Sequence, residues 1–470
     1  MTTGINSPAG VISPADTISA KSPGANSLGA NSPGANKGPC ASKGSGANKE
    51  PGSTEDIGPP IGISPLDGLL PEEPLLMMGA GPVPIPARVA AANSIVINHL
   101  GSTMSQIVEQ VKRMSSYVFQ SEHARILGVA GPGSAAMEMA VVNLVEPGDV
   151  VLSVCNGYFS NRLAEMSERA GADVIRLQVS GEQAVSVEDV KVHIETHRPR
   201  VLTIVQGETS NTVCNHTLPE ICRLAREYDC LIIVDAVCTL STMPLEMDAW
   251  GIDAVITGGQ KGLSSIPGVS LIAFSPRAWQ STLERKTPMR HWCLDAQLAN
   301  RFWYGKSYHY TAPVSGVLAL HEALRLVCNE TLPKRFARHL RSSKALQAGI
   351  EGMGLTLSVA EAHRLNSVVG INLPPGLESA ALLDHMSSVY RVEISGSFGT
   401  DIVRIGQMGE QSRAHNIFRT LHALGSSMQS LGVSLDVPSG MSALESTIGA
   451  FKHTADTALS PVMPITQISA

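Results

Sequence analysis

Two polar residues, each close behind an apolar run, have the types and spacing for chemistry on an aromatic cofactor. Asp235 follows Leu-Ile-Ile-Val at residues 231–234, and Lys261 follows Thr-Gly-Gly-Gln at residues 257–260. A desolvated lysine loses its proton easily and forms imines, while a carboxylate pairs with a protonated ring nitrogen. Together these groups are the usual protein contribution to pyridoxal 5′-phosphate (PLP) chemistry. Taken singly, Asp235 also fits a helix cap and Lys261 a solvated loop lysine.

A glycine turn ahead of a predicted helix offers a place for a phosphate. Residues 129–138 read Val-Ala-Gly-Pro-Gly-Ser-Ala-Ala-Met-Glu, and a helix N-terminus favours negative charge. The predicted cradle is Gly133, Ser134 and Ala135, and an ordinary glycine turn capped by Ser134 is the alternative. Phe159, rather than Tyr158, is predicted to stack on the cofactor ring, with a core aromatic as the alternative.

Short apolar, β-branched runs alternate with helix-length segments, which predicts an α/β fold. Strands buried on both faces, with helices between them, indicate a mostly parallel, seven-stranded sheet covered by helices. The carboxyl ends of such strands meet at one edge, where Asp235 and Lys261 are expected. The predicted strands are Ile126–Ala130, Val150–Cys155, Val174–Val179, Val201–Val205, Leu231–Val234, Ala254–Thr257 and Ser270–Phe274, and the helices between them include Ser134–Leu144 and Asn161–Ala170.

Composition divides the chain into four parts. Residues 1–72, rich in Gly-Ala-Asn, Ser and Pro, are predicted to be a disordered, low-complexity extension, because they hold too little apolar surface to offset ordering. Residues 73–325 are predicted to form a large PLP-binding domain, with 73–95 as its N-terminal arm. Residues 326–435 are predicted to form a smaller α+β domain, and 436–470 a weakly patterned tail that covers a surface. The predicted elements of the smaller domain are Leu332–Met353, Leu355–Ser358, Ser367–Asn372, Ala380–Ser388, Val392–Ile394, Val403–Ile405 and His415–Leu431.

The composition argues against several classes of partner. A net charge of −6 leaves no basic excess to bind nucleic acid. No apolar run approaches the roughly 20 residues that a membrane helix requires. Four of the eight cysteines recur at regular spacing from Cys214 to Cys238, but without the close pairs of a zinc site, so no metal is predicted and reduced thiols are expected. Because no secretory or peroxisomal signal is visible, a cytoplasmic location is expected, with a peroxisome or another organelle as the alternative.

Collinear motifs over most of the chain resemble one family. From about Leu76 to Leu431 the sequence is similar to the class V aminotransferases of fold type I, nearest to the alanine–glyoxylate and serine–glyoxylate aminotransferases. The stretch from Arg404 to about Ser446 also resembles pyridoxamine–pyruvate and ureidoglycine–glyoxylate aminotransferases. The motifs that carry the likeness are Gly79-Ala-Gly-Pro-Val83, Tyr117-Val-Phe-Gln120, Gly207-Glu-Thr-Ser210, Asp235-Ala-Val237, Gly259-Gln-Lys261, Pro267-Gly268, Tyr308-His-Tyr-Thr311 and Arg404-Ile-Gly-Gln-Met-Gly409.

The resemblance implies how the cofactor is held within one subunit. Lys261 resembles the Schiff-base lysine, and Asp235 the partner of the pyridine nitrogen. Val237 would pack on the ring face opposite the stacking aromatic, and Thr209 resembles the hydroxyl near the phenolic oxygen. Gln260 resembles a phosphate ligand. These roles are implications of the family likeness and not of the spacing alone.

The resemblance also implies a homodimer and a substrate clamp. Tyr308 and Thr311 resemble residues that reach the phosphate of the neighbouring subunit, so the active sites would be shared. Arg404 resembles the arginine that binds the substrate carboxylate, a role that suits a guanidinium fork. His99 is expected to shape the donor pocket, and a structural histidine is the alternative. Phe159 departs from the family, where tryptophan is common at the stacking position.

The activity that the resemblance implies is a ping-pong transamination. The amino group of a small amino acid, of the alanine or serine type, would pass to a 2-oxo acid, glyoxylate or pyruvate. One alternative is another PLP enzyme of the same fold, either a pyridoxamine–pyruvate type transaminase or a lyase such as a desulfurase. Another is a catalytically silent scaffold that binds partners through residues 1–72. Retention of Lys261, Asp235 and Arg404 together argues against the scaffold, and a desulfurase would need a mobile nucleophilic cysteine, which no loop near Arg404 offers.

Overall fold

A computed structural model describes Gly62 and residues 64–180, 182–397 and 401–455, with side chains as far as residue 450. The described residues from Leu66 onward belong to one compact unit. Most of the predicted extension 1–72 lies outside the described residues, and its described end contains the 3₁₀ turn Leu66–Gly68. The end of the predicted tail, beyond residue 455, lies outside them as well.

The strands follow the apolar runs of the sequence. All the predicted strands of the large domain are present, with ends shifted by at most one residue, because β-branched side chains suit a pleated, buried surface. The strands are β1 (Leu76–Met77), β2 (Arg125–Ala130), β3 (Val150–Cys155), β4 (Asp173–Gln178), β5 (Val201–Val205), β6 (Gly207–Glu208), β7 (Val213–Cys214), β8 (Leu231–Asp235), β9 (Ala254–Gly258), β10 (Val269–Phe274), β11 (Val368–Asn372), β12 (Val392–Glu393), β13 (Ser395–Gly396) and β14 (Ile402–Gly406).

A seven-stranded sheet in the order β2-β10-β9-β8-β5-β3-β4 forms the centre of the molecule. The pairs from β4 to β9 are parallel, and β10 is antiparallel to both β9 and β2. A parallel connection needs a crossover of about a dozen residues or more, whereas only the ten residues 259–268 join β9 to β10. The chain therefore reverses there, and Lys261 lies in that short loop. The predicted α/β class and mostly parallel seven-stranded sheet are confirmed.

Helices cover the sheet and build the C-terminal region. A large apolar cluster joins the sheet to the helices around it, and a second cluster joins the C-terminal helices to a three-stranded antiparallel sheet of β11, β14 and β13. The helices are α1 (Ala87–Asn93), α2 (Ser102–Phe119), α3 (Gly133–Leu144), α4 (Tyr158–Arg169), α5 (Val187–His197), α6 (Leu218–Glu227), α7 (Met247–Trp250), α8 (Pro276–Leu283), α9 (Ala296–Trp303), α10 (Val314–Glu330), α11 (Leu332–Gly352), α12 (Ser379–Tyr390), α13 (Ala414–Ser430) and α14 (Val437–Ala455).

The division into domains at residues 325 and 326 stays a prediction. Helix α10 runs across that boundary, and the two sides belong to the same compact unit. Two short pairs lie outside the large sheets: β1 runs parallel to β12, and β6 is antiparallel to β7. None of the described helices is both long and apolar enough to cross a membrane.

Two predictions for the C-terminal region are wrong. Residues after Val437 form helix α14, packed against α11, and not a weakly patterned tail. A Cβ atom on Gly440 would lie 2.6 Å from the Gly349 carbonyl oxygen, so glycine, a weak helix former, is what lets the two helices approach. The predicted strand Leu355–Ser358 is reduced to a single antiparallel bridge between Leu357 and Ile371.

Candidate active site

The carboxyl ends of β5, β8 and β9 open into a cleft, which we call the Asp235 cleft. Register places Asp235 beside Val205 on one side and Ile256 on the other, in the middle of the parallel strands. The space not filled by protein atoms in the cleft and at its open mouth, solvent included, is about 440 Å³. Its walls combine apolar, hydroxyl, amide and charged groups, and they are Gly133, Ser134, Met137, Phe159, Val205, Gly207, Thr209, Asp235, Val237, Cys238, Gln260 and Lys261.

Asp235 brings a buried carboxyl group to the floor of this cleft. The side chain is 4% exposed, and its Oδ1 accepts a hydrogen bond from the Val237 N–H at 2.8 Å. Burial raises the pKa of Asp235 to about 7; the Glu208 charge adds to the rise, and the Val237 N–H and Lys261 oppose it. A nearby cation would stabilise the ionised form of this buried carboxyl group, because opposite charge favours ionisation.

Lys261 enters the same cleft from the loop between β9 and β10. Its ammonium group donates to the Ala80 carbonyl oxygen, which lies just after β1. Gly81 has φ of +104°, and a Cβ atom there would lie 2.6 Å from the Lys261 Nζ, so only glycine leaves room for the lysine. Burial lowers the pKa of Lys261, and the nearby Arg404 charge lowers it further. The amine is therefore easier to deprotonate than an exposed lysine, as a nucleophile or base requires.

The start of α3 and Gln260 form the polar end of the cleft. Gly133 and Ser134 stand at the N-terminus of α3, where the helix dipole favours an anion. The Gln260 Oε1 is buried without a hydrogen-bond partner among the described residues. Because a carboxamide can turn either its oxygen or its NH₂ group to a ligand, Gln260 is able to donate to a phosphate. Arg162 adds a positive charge nearby, with its Nη1 donating to the Ser134 Oγ at 2.9 Å.

Phe159, Val237 and Thr209 also line the cleft. Phe159 lies in the first turn of α4, and Thr209 follows β6. An aromatic ring, a branched aliphatic side chain and a hydroxyl suit the faces and edge of a flat heteroaromatic ring. Together with Asp235, Lys261 and the anion end, these residues fit the chemical groups of PLP.

Arg404 lies beside the cleft and does not line it in this structure. It is in the middle of β14 and is 5% exposed, as its apolar flanks predicted. Its Nη1 donates to the Thr209 carbonyl oxygen at 2.6 Å, and its Nε to that of Gly396 at 2.8 Å. Burial lowers the pKa of Arg404 to about 10, with the Glu208 charge opposing, so the guanidinium remains charged at neutral pH.

Four further predicted residues do not line the cleft of their own chain. The Ala135 N–H donates to the Pro132 carbonyl oxygen at 2.8 Å, which leaves Gly133 and Ser134 as the described cradle. His99 accepts from the Ala312 N–H at 3.3 Å, and its ring meets that of Tyr308 edge-on. Tyr308 is 58% exposed, Thr311 is exposed too, and neither side chain lines this cleft.

The sequence analysis missed other members of the cleft. Met137, Val205, Gly207 and Cys238 line it, and Ala80 and Gly81 hold Lys261. The motifs Gly79-Ala-Gly-Pro-Val83 and Gly207-Glu-Thr-Ser210 were signals for some of them. Cys238 is not a nucleophile of the desulfurase kind, because burial raises its pKa well above the ordinary value and its Sγ donates to the Gly207 carbonyl oxygen.

Known proteins share this architecture. The chain is 36% identical to an alanine–glyoxylate aminotransferase of Drosophila melanogaster, covering 77% of this chain and 94% of that protein. It is 30% identical to an (S)-ureidoglycine–glyoxylate transaminase of Bacillus subtilis, over 74% of this chain and 89% of the relative. The crystal structure of an alanine–glyoxylate aminotransferase from Nostoc sp. superposes with a TM-score of 0.74 at 34% identity, covering 78% of this chain and 100% of that one.

The family match spans the regions that build the cleft. The sequence profile of the class V aminotransferases matches residues 88–400, which include Asp235, Lys261 and the start of α3. This confirms the predicted family, and the similar structures confirm the predicted fold type I. The chain therefore belongs to the class V aminotransferases and is an enzyme of that family.

Proposed function

We propose that this protein is a PLP-dependent transaminase that moves the amino group of a small amino acid, of the alanine or serine type, to glyoxylate or pyruvate. One observation carries the proposal: Asp235, Lys261, Gln260 and the start of α3 line a single cleft. The printed names of the relatives, alanine–glyoxylate and ureidoglycine–glyoxylate aminotransferases, support glyoxylate as an acceptor.

Asp235 and the polar end of the cleft would hold the cofactor. The Asp235 carboxylate would pair with the protonated ring nitrogen, and Gly133, Ser134 and Gln260 would bind the phosphate. Phe159 and Val237 would contact the two ring faces, with Thr209 near the phenolic oxygen. When bound, PLP supplies an electron sink that weakens the Cα–H bond of an amino acid.

Lys261 and Arg404 would act on the substrate. Burial lowers the pKa of Lys261 and so favours loss of its proton, and the free amine would take the proton from the substrate α-carbon and return it. Arg404 would bind the substrate carboxylate through its guanidinium, next to Thr209 at the side of the cleft. A base and a carboxylate clamp are the two contributions that the transamination requires of the chain itself.

The surface around Tyr308 supports a homodimer with shared sites. Among the described residues, large apolar side chains are exposed at Val96 (82%), Leu100 (51%), Trp292 (65%) and Tyr308 (58%), which is costly for a monomer. We propose that Tyr308, Thr311 and His99 face the cleft of a second subunit. Sedimentation should give twice the chain mass, and a monomeric species at micromolar concentration would contradict this arrangement.

Cofactor trapping tests the proposal directly. Purified protein incubated with PLP should absorb visible light, and borohydride reduction should attach the label to the tryptic peptide that contains Lys261. Lys344, whose side chain is 37% exposed and paired with Glu361, is the internal control and should stay unlabelled. Protein that takes up no PLP would favour the silent scaffold, and a label on another lysine would refute the assignment of Lys261.

A half-reaction assay separates the transaminase from its alternatives. Alanine added without an acceptor should release pyruvate, about one molecule for each bound cofactor, and bleach the visible absorption. Glyoxylate should then restore the absorption and yield glycine. Continuous release of ammonia or sulfide without an acceptor would instead identify a lyase.

A further inference from the structure

A fully buried carboxylate that the sequence analysis assigned no role lies directly behind the Asp235 cleft. Glu208, at the end of β6, is 0% exposed. Its Oε2 accepts from the backbone N–H groups of Phe159 at 3.1 Å and Ser160 at 2.9 Å. Its Oε1 accepts from the Ser210 N–H at 3.2 Å and the Ser210 hydroxyl at 2.7 Å. Both oxygens therefore face donors only.

This arrangement requires a carboxylate and not its amide. Three of the four partners are backbone N–H groups, at least one on each oxygen. The NH₂ group of a glutamine would therefore face an N–H that cannot accept from it in either orientation, and only the Ser210 hydroxyl could turn to accept. The two backbone donors from α4 belong to its first turn, where the helix dipole favours a negative charge. Gly157 makes the approach possible, because a Cβ atom there would lie 2.2 Å from the Glu208 Cγ.

The contacts of Glu208 join the two sides of the cleft. On one side they hold the backbone of Phe159, which lines the cleft. On the other, the next residue, Thr209, also lines the cleft and accepts from the Arg404 Nη1 at 2.6 Å. Ser210 completes the link, because its hydroxyl accepts from the Tyr158 N–H at 2.9 Å while it donates to Glu208.

We propose that Glu208 is a positioning residue for cofactor binding, whose buried carboxylate locks the first turn of α4 so that Phe159 is held against the cofactor ring opposite Thr209. The proposal rests on the proposed function, since it assigns Phe159 to that ring. Glu208 touches neither substrate nor cofactor in this role and acts through Phe159.

The test compares Glu208→Gln with a matched carboxylate elsewhere. Glu146 likewise accepts from two backbone N–H groups, those of Lys286 and Thr287, and from the Thr287 hydroxyl, and it is not among the residues of the cleft. In the apoprotein, Glu208→Gln should speed amide hydrogen exchange by about tenfold or more on the side that the NH₂ group faces, either at Ser210 or at Phe159 and Ser160. Glu146→Gln should change exchange at Lys286 and Thr287 less, because the shortest bonds converge on one oxygen that the amide oxygen can replace.

Cofactor affinity, read from visible absorption during titration with PLP, then distinguishes positioning from simple stabilisation. Glu208→Gln should weaken binding by about tenfold to hundredfold, the range for losing hydrogen bonds to a charged group, while Glu146→Gln leaves the affinity unchanged. Equal losses in the two variants, or unchanged affinity in Glu208→Gln, would overturn the proposal. Wild-type protein that binds no PLP would instead overturn the proposed function, and this inference with it.

A double-mutant cycle tests the route through Phe159. If Glu208 acts by holding that ring, Glu208→Gln should weaken PLP binding much less when Phe159→Ala is already present. Additive losses would overturn the route.

Should Glu208→Gln fail to fold, Ser210→Ala serves in its place, because it removes one donor to Glu208 and the acceptor of the Tyr158 N–H. It should weaken binding severalfold, and no change would count against the proposal.

Discussion

In the Asp235 cleft, Asp235 is buried, Lys261 is partly buried, and neither forms an ion pair with any described residue. By contrast, Glu330, whose side chain is 19% exposed, forms ion pairs with the buried Arg335 and Arg338. We call the second group the Glu330 cluster. The Glu330 Oε2 accepts from the Arg335 Nη1 at 2.8 Å, and its Oε1 accepts from the Arg338 Nε at 2.5 Å. Arg335 also donates to the Gly262 carbonyl oxygen, next to Lys261.

The pKa values of the two carboxyl groups, Asp235 and Glu330, shift in opposite directions, although burial raises both. In the cleft, burial raises the pKa of Asp235 to about 7 and lowers that of Lys261, so both move toward their neutral forms. In the Glu330 cluster, burial also raises the pKa of Glu330, but the Arg338 hydrogen bond and the charges of Arg338 and Arg335 outweigh it and hold the pKa at about 2. Buried ionisable groups without an ion-pair partner are typical of sites that bind or act on ligands. Buried ionisable groups that form ion pairs are more typical of contacts that hold the fold together. We therefore expect substitutions in the cleft to cost activity and those in the cluster to cost stability.

The largest effect is expected for Lys261→Met, which keeps the length of the side chain and removes its amine. Turnover should fall by about 10³-fold or more, since general acid–base catalysis alone contributes 10²–10⁴-fold. The apoprotein should remain at least as resistant to urea as the wild type, because the substitution removes a desolvated amine. Lys344→Ala is the control with normal turnover, and wild-type turnover in Lys261→Met would contradict the assignment.

Next in size is Glu330→Ala, which leaves Arg335 and Arg338 buried without their carboxylate. We expect a loss of about 3–5 kcal/mol in the free energy of unfolding, measured by urea denaturation of the apoprotein. Acid should remove the same stabilisation from the wild type as pH falls from the ordinary value of 4.5 toward about 2, because the folded pKa is the lower one. A loss below about 1 kcal/mol would show that the cluster resembles a surface ion pair.

Asp235→Asn should change how the free energy of unfolding depends on pH more than it changes the magnitude of that free energy. In the wild-type apoprotein the folded pKa is raised, so the free energy of unfolding should decline as pH rises from 3.8 to about 7. Asparagine still accepts from the Val237 N–H but does not ionise, so the variant should become progressively more stable than the wild type across this range. Urea titrations of both apoproteins at several pH values provide the measurement, and parallel pH profiles would disprove the raised pKa.

The smallest effect is expected for Lys344→Ala. Lys344 pairs with Glu361 at 2.7 Å, but the two side chains are 37% and 73% exposed, so water screens the pair. The free energy of unfolding should change by at most about 0.5 kcal/mol. A loss of unfolding free energy as large as that of Glu330→Ala would mean that burial does not determine how much these ion pairs stabilise the fold. The contrast between exposed and buried pairs would then be wrong.

Much of the cleft could be predicted because its residues stand at the ends of strands. Asp235 and Lys261 follow apolar runs, and parallel strands bring their carboxyl ends to one edge. The same reasoning could not find the Glu330 cluster, because Arg335 and Arg338 are spaced like the solvent-facing side of a helix. They are buried only because the segment after β14 packs over α11, where Gly409 and Ser412 accept from Arg338.

Glu208 could not be recognised from the sequence either, although it lies within a motif that was identified there. Gly207-Glu-Thr-Ser210 supported the family likeness, yet the donors to the Glu208 carboxylate include residues 48 and 49 positions earlier in the chain. Helix α14 is a second case, since Pro438 and Gly440 are typical of a loop in isolation. Only contact with α11 explains why glycine is placed there.

By itself the sequence determined the fold class, through apolar periodicity and strand ends, which are local properties. The family and several of the residues that meet in the cleft, among them Thr209, Val237 and Gln260, followed from the resemblance of its motifs to the class V aminotransferases. Only the tertiary structure decided which buried charges have partners and which do not. Desolvation and ion pairing depend on atoms that are distant in the chain and close in space, so the state of each charge follows from packing and not from its neighbours in sequence.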